Sequence, residues 1–315
     1  MIRIMTDKFA MGVIPGLRWI SISILVLALA GCSLNKLVVD RLGNALAEGS
    51  SSYATDDDPD LVGAALPFGL KTIESLLAQS PHHKGLLLAA TSGFTQYAYA
   101  FVQTDADLIE DTDLMRAISL RERALRLYRR GLGYGIRGLE EVQPGFAVLL
   151  RSDSGKALAP MGKQDVPLLY WTAVAWGAAI SLDKTNSALS VDLPWVEVLI
   201  RRALELDEKF GLGVIYDFMI VYEGGRPAAA GGSIDRSRES LARAINLSGG
   251  RRAAPLVSFA ETVDVAIQDR AEFNKLLDRA LAINIDDAPD QRLSNIIAQR
   301  RARWLRARMD RLFID

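Results

Sequence analysis

Cysteine and histidine are scarce in this sequence, and their scarcity excludes several kinds of site. The 315 residues include one Cys and two His. A single Cys forms no internal disulfide and supplies no multi-cysteine zinc or iron–sulfur centre. The two histidines, His82 and His83, are adjacent, and there is neither an HExxH helix nor a GxSxG elbow. We therefore predict no metal, no cofactor and no enzymatic activity; a hydrolase with an unrecognised site is a minor alternative.

An excess of charge of one sign is also missing. The chain has 37 basic and 38 acidic residues, a formal net charge of -1. A nucleic-acid binder needs a clustered basic excess to displace counterions, so this balance argues against one. Half of the residues are hydrophobic, which excludes a disordered chain and is enough for one large domain or two smaller ones.

The N-terminus has the pattern of a bacterial lipoprotein signal. After a basic start, residues 19–30 (WISISILVLALA) form an apolar run that is too short to span a bilayer comfortably. The run ends in Leu29-Ala30-Gly31-Cys32, which resembles a lipobox. We predict that residues 1–31 are removed as a signal peptide and that Cys32 carries the acyl lipid that anchors the protein. An ordinary secretory signal is the alternative, and Met11 is an alternative start.

The residues after Cys32 indicate where the anchor lies and where the domain begins. Ser33, rather than Asp, follows the Cys, so the inner-membrane retention signal is absent, and we predict a periplasmic protein anchored to the outer membrane. Residues 32–57 are predicted to be a lipidated tether, and residues 58–315 a helical-repeat domain. Asp56-Asp57-Asp58 could suggest a cation site, but Asp58 before Pro59 is more typical of a helix N-cap.

The apolar residues recur at helical spacing, and period-2 alternation is nearly absent, so we predict an all-α fold without a sheet. After a first helix that begins at Pro59, the predicted helices cover residues 80–103, 111–130, 165–182, 193–207, 212–223, 232–247, 254–267, 269–283 and 290–312.

A short motif recurs along the chain. Its central alanines are Ala124, Ala203, Ala244 and Ala280, separated by 79, 41 and 36 residues. A period of this length favours a cryptic TPR-like array of antiparallel helix pairs, in which each pair packs on the next. Four coincident Ala-Leu segments in a helical protein are the alternative.

Four segments of the mature chain carry a family resemblance. They are residues 66–76 (LPFGLKTIESL), 92–101 (SGFTQYAYAF), 166–171 (VPLLYW) and 299–305 (QRRARWL). Together, in this order and behind a lipobox, they resemble the TatT component family of TRAP (tripartite ATP-independent periplasmic) transporters over residues 56–313. The resemblance implies TPR-like helix pairs, a homotrimer, and a partner that is the solute-binding protein of a TRAP system. It also implies a hydrophobic ligand held in or passed through a pore, and it supplies no catalytic residues.

Two aromatic clusters are candidates for lining such a pore. Phe94, Tyr97, Tyr99 and Phe101 cannot share one helix face at 100° per residue. Trp171 and Trp176 form a second cluster among small residues. Large aromatics beside small residues can build an apolar channel. Ordinary packing of large against small side chains is the alternative.

The C-terminal helix combines arginines with an apolar stripe. Arg300, Arg301 and Trp304 are its candidate ligand residues, because the arginine fork binds carboxylates through two hydrogen bonds. A solvated face paired with acidic residues is the alternative. The sequence and the resemblance together predict a lipid-anchored periplasmic auxiliary of a TRAP-type uptake system for a partly apolar organic anion. The alternative function is a TPR-type scaffold lipoprotein for envelope assembly, without a small ligand.

Overall fold

The fold is known from a computed structural model that describes residues 53–183 and 191–314. Within these ranges the chain is helical and contains no strand, which confirms the predicted all-α class. The predicted signal peptide, the lipid attachment at Cys32 and the greater part of the tether lie outside the described residues.

The helices are connected by short turns and 3₁₀ segments. In chain order they are α1 (Pro59–Gln79), α2 (Lys84–Tyr97), α3 (Thr104–Ile109), α4 (Leu114–Glu140), α5 (Phe146–Ser152), α6 (Ser154–Leu158), α7 (Val166–Leu182), α8 (Leu193–Leu206), α9 (Val214–Gly224), α10 (Ile234–Ser248), α11 (Ala254–Phe259), α12 (Val265–Ile267), α13 (Arg270–Leu281), α14 (Arg292–Ala307) and α15 (Met309–Leu312). Two π-helical segments join neighbouring helices: Ala98–Gln103 connects α2 to α3, and Ala260–Asp264 connects α11 to α12.

Side-chain caps fix where the first two helices begin. The Asp58 carboxylate accepts the backbone N–H groups of Asp60 and Leu61, which confirms the predicted cap ahead of Pro59. The predicted start of α2 at Ser80 is wrong. Ser80 is the C-cap of α1, and the cap of α2 is His83, whose Nδ1 accepts the Leu86 N–H at 3.1 Å.

A stripe of glycines explains why α4 is longer than predicted. The helix was expected to end near residue 130, but it continues to Glu140 through Gly131, Gly135 and Gly138. A Cβ on Gly131 would lie 3.1 Å from the carbonyl oxygen of Thr91 on α2. A Cβ on Gly135 would overlap the side chain of Thr172 on α7, and one on Gly138 would lie 2.9 Å from Leu168. The glycines therefore bring the backbones of α2 and α7 against α4 instead of ending the helix.

The core consists of three apolar clusters that follow one another along the chain. One joins α1, α2 and α4, the next joins α4 to α9, and the last joins α9 to the C-terminus. The central alanines of the recurring motif are fully buried: Ala124, Ala203, Ala244 and Ala280. A buried alanine lets a neighbouring helix approach closely, as the repeat requires. The TPR-like pairing itself stays a prediction.

The C-terminal helix α14 returns to the N-terminal helices. Arg300 pairs with Asp60 of α1 at 3.0 Å, and Arg301 pairs with Asp107 of α3 at 2.9 Å. Arg292 donates to the backbone oxygen of Thr55. These contacts join residues that are 194 to 240 positions apart in sequence, so they bring the C-terminal helix against the start of the domain.

Among the described residues, α1 is the one helix that is long and apolar enough, by length and composition, to cross a membrane. Its mean hydropathy is 1.4. One face, including Leu70 and Leu77, packs into the N-terminal core, whereas Leu61 and Phe68 on another face are exposed. Such a pattern is also typical of a core helix, so the finding gives weak evidence for a membrane span.

Asp264 is a buried carboxyl group at the end of the second π-helical segment. It has no exposed surface, and neither carboxylate oxygen has a hydrogen-bond partner among the described residues. Burial raises the pKa of Asp264 to about 7, and the negative charges of Asp269 and Glu272 act in the same direction. The carboxyl group therefore keeps its proton in the folded protein at mildly acidic pH.

The glycine stripe predicts opposite effects for one substitution at two sites on α4. We expect Gly135→Ala to lower the free energy of unfolding by about 1–3 kcal/mol, because the new methyl group overlaps Thr172. Gly133→Ala is the matched control. No atom lies within 4 Å of its added Cβ, so we expect a gain of about 0.5–1 kcal/mol. Urea unfolding followed by circular dichroism measures both; equal losses at the two sites would contradict the packing role.

Because the carboxyl group of Asp264 is buried, we predict that the free energy of unfolding falls as the pH rises. The folded chain holds this proton up to about pH 7, whereas an unfolded Asp releases it near pH 4. The contribution of Asp264 to the free energy of unfolding is therefore greatest below pH 4 and is lost as the pH rises through 7. We expect Asp264→Asn to match wild type at pH 5 and to be more stable by about 1–3 kcal/mol at pH 8.

Asp278→Asn is the control for this measurement, because the Asp278 side chain is largely exposed and lies outside the core. Thermal unfolding at the two pH values measures the effect. A constant difference between Asp264→Asn and wild type at pH 5 and pH 8 would show that Asp264 is not protonated in the fold.

Candidate functional site

A cavity of about 320 Å³ lies where the C-terminal helix meets the N-terminal ones. Its wall comes from the start of α1, the end of α2 with its π-helical segment, α3, α4 and α14. Four residues predicted from the sequence line it together: Tyr97, Phe101, Arg300 and Arg301. The structure thus brings the first aromatic cluster and the C-terminal arginines to one place, although they are about 200 residues apart in sequence.

The π-helical segment determines which aromatic side chains reach the cavity. A π turn adds a residue to the helical turn and so shifts the face on which later side chains lie. Phe101 packs over Gly63 of α1, where a Cβ would approach its ring to 2.7 Å. The rings of Tyr97 and Phe101 are 5.9 Å apart. Ala100, Leu108 and Ile297 add further lining residues, so one part of the wall is apolar.

Arg301 is held by two acidic residues. Its guanidinium makes a two-bond contact with Glu261 and pairs with Asp107 at 2.9 Å. It also lies 4.1 Å from the ring centre of Trp304. Only 13% of the Arg301 side chain is exposed, so its charge is already compensated within the protein. This arrangement favours a structural role for Arg301 over contact with a ligand.

Arg300 is the more accessible arginine of α14. It pairs with Asp60 at 3.0 Å, and 48% of its side chain is exposed. An ion pair with this much exposure is weak and screened by water. Arg300 can therefore exchange Asp60 for another anion at small cost.

Arg123 is a cavity residue that the sequence analysis missed. It lies on α4 and donates to the hydroxyl oxygen of Tyr97 at 3.1 Å. Its guanidinium also lies 5.6 Å from the centre of the Tyr97 ring. No carboxylate of the described residues lies within ion-pair distance of Arg123. Nothing local in the sequence marks this residue, because its partner is 26 positions away on another helix.

The remaining predicted aromatics lie apart from this cavity. Phe94 is buried in the N-terminal core and stacks on Tyr134 at 5.9 Å. Trp176 is buried in the middle core, and Trp171 packs against Tyr170 beside it. Trp304 lies between Arg301 and Arg308. Ligand contact by any of these residues stays a prediction.

Tyr99 lies on the first π-helical segment, outside the cavity lining. About half of its side chain is accessible (49%), yet burial raises the pKa of its phenol. The charges that act on it come from four elements, α3, α9, the second π-helical segment and α14: Asp107, Asp217, Glu261 and Arg301. Asp217 of α9 forms a buried ion pair with Arg252, which lies in the loop before α11.

Two other features bear on possible ligands. A shallow concavity of about 610 Å³ beside α8 and α9 is lined mainly by charged residues of both signs, and it contains none of the predicted site residues. The described residues contain no group of three His, Cys, Asp or Glu side chains that could hold a metal ion.

The cavity has the chemistry to hold a small anion with an apolar body. Aromatic and aliphatic side chains cover one part of its wall, and arginines are placed at another part. Ligand sites typically combine a mainly apolar lining with a few fixed polar groups.

The central place of Arg301 leads to a prediction about stability. We expect Arg301→Gln to lower the free energy of unfolding by about 1.5–3 kcal/mol, because Glu261 and Asp107 lose a charged hydrogen-bond donor. Arg306→Gln on the same helix is the control; its pair with the largely exposed Asp278 is worth about 0.2–1 kcal/mol. Chemical unfolding measures both variants. Similar small losses would mean that Arg301 does not hold α14 in place.

Comparison with known proteins agrees with this architecture. The family model described as TRAP transporter T-component matches residues 55–313. An uncharacterised protein of Treponema pallidum (strain Nichols) is 31% identical over 304 residues, which cover 91% of this chain and 94% of that protein. The family is one of auxiliary transporter components and is not a known enzyme family. It implies association with a TRAP transporter and suggests a location in the cell envelope. On the match over residues 55–313, the chain belongs to the TRAP transporter T-component family.

Proposed function

We propose that this protein is a periplasmic lipoprotein that docks the solute-binding protein of a TRAP system and holds or passes the transported compound. The family supplies the transporter context. The compound is an organic anion with an apolar body. Cys32 anchors the mature chain, and Ser33 after it favours the outer membrane.

The observation that carries the ligand part of the proposal is the cavity between α1, α2 and α14. It joins the aromatic residues Tyr97 and Phe101 to arginines from two helices. A compound handed over by a binding protein needs such a protected apolar space, since its apolar part is costly to expose to water.

The partner and the assembly rest on the family resemblance. A homotrimer would offer three equivalent docking sites, one for each copy of the solute-binding protein. Closed cyclic symmetry of this kind is common among soluble homo-oligomers.

The alternative function is a scaffold lipoprotein for envelope assembly, which binds proteins but no small molecule. Such a protein needs an open concave face for an extended partner. The contacts of α14 with α1 and α3 join the two ends of the domain around the cavity, which supports the ligand-handling function.

Native mass spectrometry tests this proposal. The sample is the mature chain without Cys32, alone and mixed with the TRAP solute-binding protein encoded nearest to its gene. We expect a trimer that takes up the binding protein, and no uptake of a binding protein from an unrelated ATP-driven transporter. A monomer that ignores both proteins would overturn the proposal and favour the scaffold function.

A further inference from the structure

We propose that Arg123 and the Tyr97 hydroxyl form the carboxylate site of the cavity, and that the ligand is a small monocarboxylate with an apolar tail. This inference rests on the proposed function for its biological context, but the site is argued from geometry alone. In this proposal a residue of α4 binds the carboxylate of the ligand, whereas the sequence analysis predicted residues of α14 for that role.

The argument begins with the arginines that line the cavity. Arg301 forms ion pairs with Glu261 and Asp107, and Arg300 forms one with Asp60. Arg123 is the cavity arginine that has no carboxylate partner within ion-pair distance among the described residues. Arg123 is exposed at the edge of the cavity, and its guanidinium is charged at all physiological pH values, so it attracts an anion to this opening.

The hydroxyl of Tyr97 adds a second donor at the same point. The tyrosine is buried, with 8% of its surface accessible, and its hydroxyl oxygen accepts the Arg123 N–H at 3.1 Å. This leaves the phenolic hydrogen available to donate, and no acceptor for it is present among the described residues. Because buried hydroxyl groups normally satisfy their donor, a ligand oxygen fits here. The guanidinium and the hydroxyl together offer convergent donors to one carboxylate.

The acidic residues of the cavity do not block this site. Asp60 is held by Arg300. Partial burial of the Asp105 carboxyl and the charge of Asp60 raise its pKa, and the charges that oppose this come from Arg116, Arg123 and Arg300. A carboxylate next to Arg123 therefore meets one unpaired acid, whose negative charge is offset by several arginines.

The size and lining of the cavity limit the ligand. A volume of about 320 Å³ is at the lower end of the range for small-molecule sites. Phe101, Leu108 and Ile297 provide an apolar wall for the tail. A short-chain or single-ring carboxylic acid meets both conditions.

Isothermal titration calorimetry with octanoate and octan-1-ol tests the site. The two probes share a tail of the same length and differ in the charged group. We expect the mature chain without Cys32 to bind octanoate at least tenfold more tightly than octan-1-ol. Arg123→Gln should lower the affinity for octanoate about tenfold or more and leave that for octan-1-ol unchanged. Tyr97→Phe should lower the affinity for octanoate severalfold, because it removes one donor.

Arg126→Gln is the matched control, because this exposed arginine lies on the same helix outside the cavity lining. It should bind octanoate like wild type. Circular dichroism shows whether each variant is folded. The inference is overturned if a folded Arg123→Gln variant binds octanoate like wild type, or if wild type binds octanoate no better than octan-1-ol.

Docking is scored separately on the same variants by native mass spectrometry. Arg123→Gln should still take up the solute-binding protein. If octanoate binding does not depend on Arg123 but the protein still docks the solute-binding protein, only this inference is overturned. Octanoate binding that depends on Arg123, in a protein that never docks, supports the site and overturns the transporter role.

Discussion

The return of the C-terminal helix to the start of the domain is the constraint on which the candidate site depends. Arg301 joins α14 to α3 and to the second π-helical segment through Asp107 and Glu261. These pairs hold α14, and with it one wall of the cavity, against the N-terminal helices. The same helix is also packed into the C-terminal apolar core. The ion pairs determine the position in which α14 packs against the other helices. Apolar burial supplies most of the free energy that stabilises this packing.

Much of the fold could be predicted from the sequence, because helical periodicity and Pro-linked caps are local signals. The all-α class and the Asp58 cap are examples. The start of α2 was mispredicted because Ser80-Pro81 has the composition of an N-cap, whereas the chain uses the His83 imidazole. The end of α4 was mispredicted because glycine normally interrupts helices, and its close contacts with α2 and α7 are invisible in a single sequence.

The candidate site was only partly predictable. Aromatic clustering identified Tyr97 and Phe101, and charge density identified Arg300 and Arg301, all of which line one cavity. The same signals selected Phe94 and Trp176, which lie in the core, because an aromatic residue looks alike in a core and in a cavity wall. Arg123 was missed because its significance depends on which acidic residues are already occupied. That pairing is a property of the tertiary structure.

The glycines of α4 also bear on the order in which the molecule folds. A helix of 27 residues with this many glycines has low intrinsic helicity, since each costs about 1 kcal/mol relative to alanine. Its second half gains stability only once α2 and α7 are present to pack on it. The second half of α4 is thus a late, cooperative element. Arg123 lies in the glycine-free first half of the helix, so the polar side of the cavity does not depend on that late packing.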